Sequence, residues 1–290
     1  MNFAPIVFVA LWSTGFVGAK YGLPYADPFI FLSIRVAIAA GLLAIYAIAT
    51  KQSLRLNRAD IKVSAYVGAT LHFAYLGGVF YAISEGMPAG ISATVTSLQP
   101  ILVSLIAVKI LGEKLSARQY LGLVFGFIGV VLVLSPAFAK HPTLKWSEVI
   151  AMACALAGST GATLIQKKSG GKTPLVPGTI YQYVFASILF LAAACVTGGF
   201  HIEWSGKFIF AISWLVLALS VGAILILLTL LKHGSASQVS SLLYLVPPAT
   251  ALESYILFHE KLTRIDLLGI ALTAIGVYLV IRKTSIKRSA

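Results

Sequence analysis

The sequence predicts an all-α membrane protein of ten transmembrane helices, arranged as two inverted five-helix repeats with both termini in the cytoplasm. Three observations predict it. The chain is 59% hydrophobic and only 11% charged over 290 residues, with a mean hydropathy of +0.93, too apolar for a domain with a watery surface. A pattern of residues occurs twice in the same register: Pro100, Glu113-Lys114-Leu115, Gly122 and Gly129 recur as Pro247, Glu260-Lys261-Leu262, Gly269 and Gly276, each offset by 147 residues. The charges sit between long apolar runs, and the basic ones favour one side.

A span needs about 20 apolar residues. Ten runs meet that length, at roughly 3–20, 28–49, 63–84, 89–109, 117–136, 147–168, 177–199, 209–231, 236–258 and 265–282. The loops between them are short and leave no room for a soluble domain. No period-two alternation suggests an outer-membrane barrel. Met1-Asn2-Phe3 offers no basic start of a cleaved signal peptide, so the first span is expected to be retained. With ten spans, 15 of the 22 Lys and Arg residues fall on the side shared by the termini, 6 on the other, and Arg35 inside a span. The positive-inside rule makes the richer side cytoplasmic. The formal charge of +13 thus sets orientation and meets anionic lipid rather than nucleic acid. Cys154 and Cys195 lie in apolar runs and read as buried small hydrophobes.

Five spans per half is an odd number, so the second half enters the membrane from the opposite side. The boundaries are 1–139 and 140–290, joined near Lys140 and Lys145. Ser13-Thr14-Gly15 of span 1 is echoed by Ser159-Thr160-Gly161 of span 6. Ser116 with Gln119, and Thr263 with Asp266, read as capping boxes that start spans 5 and 10. Glu113 and Glu260 precede these caps and suit tight turns better than substrate contact. Gly122, Gly126 and Gly129 share one face of span 5. Small residues so spaced let helices approach closely in lipid, either within the fold or between two copies as a homodimer.

These features together resemble the drug/metabolite transporter superfamily, and within it the EamA-type ten-helix transporters. The residues that carry the resemblance are Leu11-Trp12-Ser13-Thr14-Gly15-Phe16, Arg35, Leu98-Gln99-Pro100, the turn Leu111-Gly112-Glu113-Lys114-Leu115, the span 5 glycines and their second-half copies. The resemblance implies a secondary carrier of the bacterial inner or plasma membrane that moves amino acids or other small metabolites, often outward. It also implies a central cavity enclosed by spans 1–4 and 6–9, with spans 5 and 10 outside.

Polar groups in hydrocarbon need a partner or a watery cavity. Span 4 carries Ser92, Thr96 and Gln99, span 6 carries Ser159, Thr163 and Gln166, and span 9 carries Ser237, Ser241 and Tyr244 at the same spacing. Such stripes either glue helices together or converge on a hydrated path. Pro100 and Pro247-Pro248 sit mid-span, where the loss of an amide and displacement of a carbonyl make either a packing kink or a functional bend of the opened kind at which carriers often bind substrate. Arg35 lies about 10 Å below the outer end of span 2, and Glu253 about 7–8 Å from the outer end of span 9. Either they, or Arg35 and helix carbonyls, satisfy each other, or Arg35 attracts a substrate carboxylate or phosphate. His72, with Tyr75 on the same face of span 3, is either a proton shuttle or a satisfied buried imidazole. Trp12, Phe16, Tyr181, Tyr183 and Tyr244 suit an amphipathic pocket, whereas Tyr66, Trp146, Trp204 and Tyr255 read as interface anchors. The candidate substrate-binding set is Trp12, Ser13, Thr14, Arg35, His72, Tyr75, Gln99, Ser159, Thr160 and Tyr244.

An enzyme is disfavoured, because no HExxH, GxSxG or pair of mid-span aspartates is present. No catalytic residue, metal ligand or cofactor is expected. The apparent polar stripes and paired prolines argue weakly against a non-transporting scaffold. Span 1 lacks the carboxylate on which small multidrug exporters of cations rely, which lowers the case for a multidrug-type efflux carrier. The expected partners are a small-molecule substrate and membrane lipid.

Overall fold

The computed structural model describes residues 3–111, 116–140, 145–169, 173–226, 230, 246–259 and 263–281. The described residues are helical apart from short connections and one isolated antiparallel bridge, Ala26 with Ile202. The helices are α1 (Ala4–Gly22), α2 (Pro28–Ala49), α3 (Arg58–Ser84), α4 (Ala89–Thr96), α5 (Gln99–Leu111), α6 (Ala117–Lys140), α7 (Trp146–Lys168), α8 (Leu175–Thr197), α9 (Gly206–Ile226), α10 (Val246–Phe258) and α11 (Arg264–Ile281). Among the described residues, six of them, α1, α2, α3, α7, α8 and α9, are long and apolar enough to cross a membrane.

Local chemistry explains the ends and breaks. The Asn57 side chain accepts from the Asp60 amide at 2.9 Å to start α3, and Ser205 accepts from Phe208 at 3.3 Å to start α9. Both expected capping boxes form. The Ser116 amide donates to Gln119 Oε1 at 2.8 Å, and the Thr263 amide donates to Asp266 Oδ2 at 2.7 Å. The turns Glu113–Leu115 and Glu260–Leu262 lie outside the described residues. The helix breaks at Ser97–Leu98, just before Pro100. Pro100 is therefore the second residue of α5, where its missing amide leaves no bond unmade.

Packing interleaves the two halves of the chain. α2 lies against α8, α3 against α7 and α8, and α1 against α9 and α10. α3 and α7 touch through Gly158, where a Cβ would sit 2.5 Å from the Thr70 carbonyl oxygen. The most extensive pairing among the described residues is α6 with α11. A Cβ on Gly276 would strike the Gly126 amide and lie 2.6 Å from the Gly122 carbonyl oxygen, so only glycine fits there. The glycine faces of the repeated pattern thus meet each other inside one chain. Phe127, Val124, Leu267 and Ile275 point outward from this pair.

One expectation is corrected. Cys154 and Cys195 are exposed on the outer surface of the bundle, not buried. A helix face turned to lipid is as apolar as one turned to the core, so hydropathy does not separate the two.

Candidate functional site

A cavity of about 310 Å³ lies between the halves. It is lined by Trp12, Gly15 and Phe16 of α1, Arg35 of α2, and Val63 to Phe80 of α3. From the other half come Gln166 of α7, Gly178, Thr179, Gln182 and Tyr183 of α8, and Leu219, Ser220 and Ile224 of α9. At 1.5 Å per residue, the α3 lining runs about 25 Å along the helix axis.

Two irregular stretches shape the wall. α3 is π-helical over Gly68–Leu76 and α9 over Leu215–Ala223. These stretches are offset by 147 residues, the offset of the repeated sequence pattern. A π turn widens the helix and recurs at functional sites. The first stretch supplies Leu71, His72 and Tyr75 to the cavity, and the second supplies Leu219 and Ser220.

The polar groups near the cavity's middle form a compact network. Arg35, only 4% exposed, donates from Nε to Ser220 Oγ at 3.1 Å, and its guanidinium lies 5.7 Å from the Phe80 ring centroid. The Tyr183 hydroxyl donates to the Ser220 carbonyl at 3.1 Å. His72 is buried, with Nε2 3.2 Å from Gln182 Oε1 and its ring edge-on to Tyr183 at 4.7 Å. Tyr75 lines the same wall, one turn along α3 from His72. Arg35 and Glu253 do not pair, contrary to one expectation. Glu253 Oε1 instead accepts from Ser13 Oγ at 2.6 Å.

The two ends of the cavity differ. Toward the end carrying Arg58, Lys62 and Lys168, the lining continues through Val63, Thr173, Pro174 and Leu175, and Gln166 is exposed at the rim. Asp60 sits at that end, accepting from Thr173 Oγ1 at 2.8 Å and from Asn57 Nδ2 at 2.7 Å. At the opposite end the halves are joined. The Asp27 amide donates to the His201 carbonyl at 3.0 Å, the His201 amide to Asp27 Oδ2 at 2.8 Å, and the Glu203 amide to the Tyr25 carbonyl at 2.7 Å. Below them Phe31 packs edge-to-face on Phe80 and Phe208 at 5.6 and 5.1 Å, and all three rings are buried. Lys145 Nζ binds Glu85 Oε2 at 2.6 Å, and this contact raises the Lys145 pKa above its ordinary value.

Of the ten candidate residues, Trp12, Arg35, His72 and Tyr75 line the cavity. Five do not. Ser13 is bound to Glu253, and Thr14 Oγ1 donates to the Leu11 carbonyl while accepting from Trp214 Nε1 at 2.9 Å. Gln99 donates to the Ser159 carbonyl and to Thr163 Oγ1, while Ser159 and Thr160 donate back to the Leu156 carbonyl. Within the span 4 and span 6 stripes, Gln99 alone donates across to the other helix, the hydroxyls of Ser92, Thr96, Ser159 and Thr163 donate to carbonyls of their own segments, and Gln166 reaches the cavity. Tyr244, Ser237 and Ser241 lie outside the described residues. Gln182 and Ser220 were not among the candidates. Gln182 was findable, as a polar amide in the middle of an apolar run. Ser220 gave no such signal.

The profile of the EamA-like transporter family matches the chain twice, over residues 2–135 and 145–282. The chain belongs to the EamA-like transporter family. It is an integral multi-pass membrane protein whose role is transport, not catalysis. It is 28% identical over 286 residues to the uncharacterized transporter YvbV of Bacillus subtilis (strain 168), covering 97% of this chain and 92% of that one. It is 24% identical over 282 residues to a probable amino-acid metabolite efflux pump of Escherichia coli (strain K12), covering 94% and 92%. A protein of known crystal structure shares this fold at a TM-score of 0.67 and 18% identity, over 96% of this chain and 95% of that one.

Proposed function

We propose that this chain is a secondary transporter that moves a small polar metabolite, an amino acid or a related compound, out across the plasma membrane by alternating access. Ten spans form two inverted halves, 1–139 and 140–290, with both termini in the cytoplasm. The observation that carries this reading is the cavity, walled by both halves, continuous toward the basic end and shut at the other by contacts between the halves. The positive-inside rule assigns the basic end to the cytoplasm, so this conformation is inward-open and ready to load from within the cell. The matched offset of the two π-helical stretches supports the same account. Two similar halves that exchange conformations turn an inward-open state into an outward-open one. Efflux is supported by the relatives named as amino-acid metabolite efflux pumps.

The test is flux. Purified protein in liposomes is expected to move at least one compound from a panel of labelled amino acids and their deaminated relatives. Absence of flux for every compound, with protein that is folded, would remove the reading.

A further inference from the structure

The charge in the cavity is one-sided. Its lining holds Arg35 and, among the described residues, no Asp or Glu. Asp60, at the basic end, is occupied by Thr173 and Asn57. A guanidinium does not deprotonate in a protein, and taking it out of water without a counter-charge carries a large penalty. Arg35 spends one of its five donors on Ser220, and among the described residues that is its sole hydrogen bond. The polar groups beside it are already committed, with Tyr183 bound to the Ser220 carbonyl and His72 to Gln182. What the cavity lacks is one negative charge in reach of the guanidinium fork.

We infer that the ligand of this cavity is an organic monoanion, a carboxylate on an apolar or aromatic body with no ammonium group, seated with its carboxylate on Arg35. This rests on the reading of the chain as a transporter loaded from the cavity, and narrows its substrate class. The planar fork matches a carboxylate through two parallel hydrogen bonds. The rest of the wall around it is apolar and aromatic, with Trp12, Phe16, Leu71, Val79, Phe80 and Leu219, which suits a hydrocarbon body. An ammonium group would find no acid there, and it would be repelled by Arg35. A single fixed cation also suits a monoanion better than a phosphate dianion.

The experiment compares near-isosteric probes on the full-length purified protein by titration calorimetry: phenylacetate, phenylacetamide, phenethylamine, phenylalanine and phenyl phosphate. Phenylacetate is expected to bind roughly 10- to 100-fold tighter than phenylacetamide, the worth of a charge-assisted pair. Phenethylamine is expected not to bind, and phenylalanine and phenyl phosphate to bind more weakly than phenylacetate. Arg35→Gln should remove the acid-over-amide preference, and Arg35→Lys should keep part of it. The wild-type comparison stands even if Arg35→Gln fails to fold. Equal binding of acid and amide, or a preference that survives in Arg35→Gln, overturns the inference. The same probes in liposome counterflow separate the two levels. Phenylacetate that binds through Arg35 but never crosses upholds the anion site and overturns the transport reading. Phenylalanine that crosses equally well in wild type and Arg35→Gln upholds transport and overturns the anion site.

Discussion

A disulfide across the closed end is expected to arrest transport without emptying the cavity. Ala26 and Ile202 face each other in an isolated antiparallel bridge between the halves. Directly opposed residues in such a bridge have Cα atoms about 4.5–5.5 Å apart, inside the roughly 4.4–6.8 Å window of a disulfide. The bridge is flanked by three hydrogen bonds of 2.7 to 3.0 Å, at about 1 kcal/mol net each. The two ring pairs of Phe31 add about 0.5–1.5 kcal/mol apiece beyond their buried area. An end held by several kcal/mol is closed at rest, yet it lies within the about 5.5 kcal/mol by which differential ligand binding can invert a two-state equilibrium. A covalent bond there removes that freedom. The perturbation is Ala26→Cys with Ile202→Cys, in a background where the exposed Cys154 and Cys195 are replaced by serine. The assay is liposome efflux before and after oxidation, and again after a reductant. Flux should fall in proportion to the cross-linked fraction, to roughly one-tenth when about nine-tenths is bridged, and return on reduction, because the halves no longer separate at this end. Ligand binding measured in detergent should survive, since the mouth lies at the other end. Full flux through fully bridged protein would refute the argument that this end must open.

Two further outcomes concern the scaffold. Gly276→Ala forces a methyl group against the Gly122 and Gly126 backbone, and should lower stability by about 1–3 kcal/mol, the usual cost of overpacking. Gly41→Ala, which meets nothing within 4 Å, should be neutral or slightly stabilising through helix propensity; similar melting of the two variants would count against the packing argument. Ser13→Ala strips Glu253 Oε1 of its donor while the buried Oε2 has no hydrogen-bond partner, and should cost about 1–3 kcal/mol. Adding Glu253→Leu should recover most of that loss in a double-mutant cycle, and simple additivity would show the pair to be uncoupled.

Local signals in this sequence translated directly into structure. Ser116 with Gln119 and Thr263 with Asp266 form their capping boxes because such bonds depend on spacing alone. Pro100 sits beside a helix break for a similar reason. The glycines of the repeated pattern are packing positions, but which helix they meet is a tertiary fact, and Gly129 and Gly276 show it to be the opposite half's counterpart. The site was half legible. Arg35 and His72 stood out because charged or titratable groups in hydrocarbon are rare, and the cavity holds both. Ser13 and Gln99 carried the same kind of signal but bond to neighbouring helices, and Ser159 bonds back to its own helix. A polar side chain satisfied by a neighbour looks the same in sequence as one satisfied by a cavity. The exposed cysteines share that ambiguity, since lipid and core are equally apolar. The π-helical stretches at 68–76 and 215–223 left no mark in the hydropathy, although their spacing obeys the repeat.

The most direct test of the account is sided labelling of a cysteine placed at Thr179, which lines the cavity toward its basic end, in a cysteine-free background. An impermeant maleimide applied to oriented vesicles should label it rapidly from the cytoplasmic side and slowly from the outside. Oxidising the Ala26→Cys, Ile202→Cys bridge should abolish the slow outside reaction and spare the inside one. Outside labelling that persists in the bridged protein, or no labelling from the cytoplasmic side, would contradict a cavity that opens alternately to the two faces of the membrane.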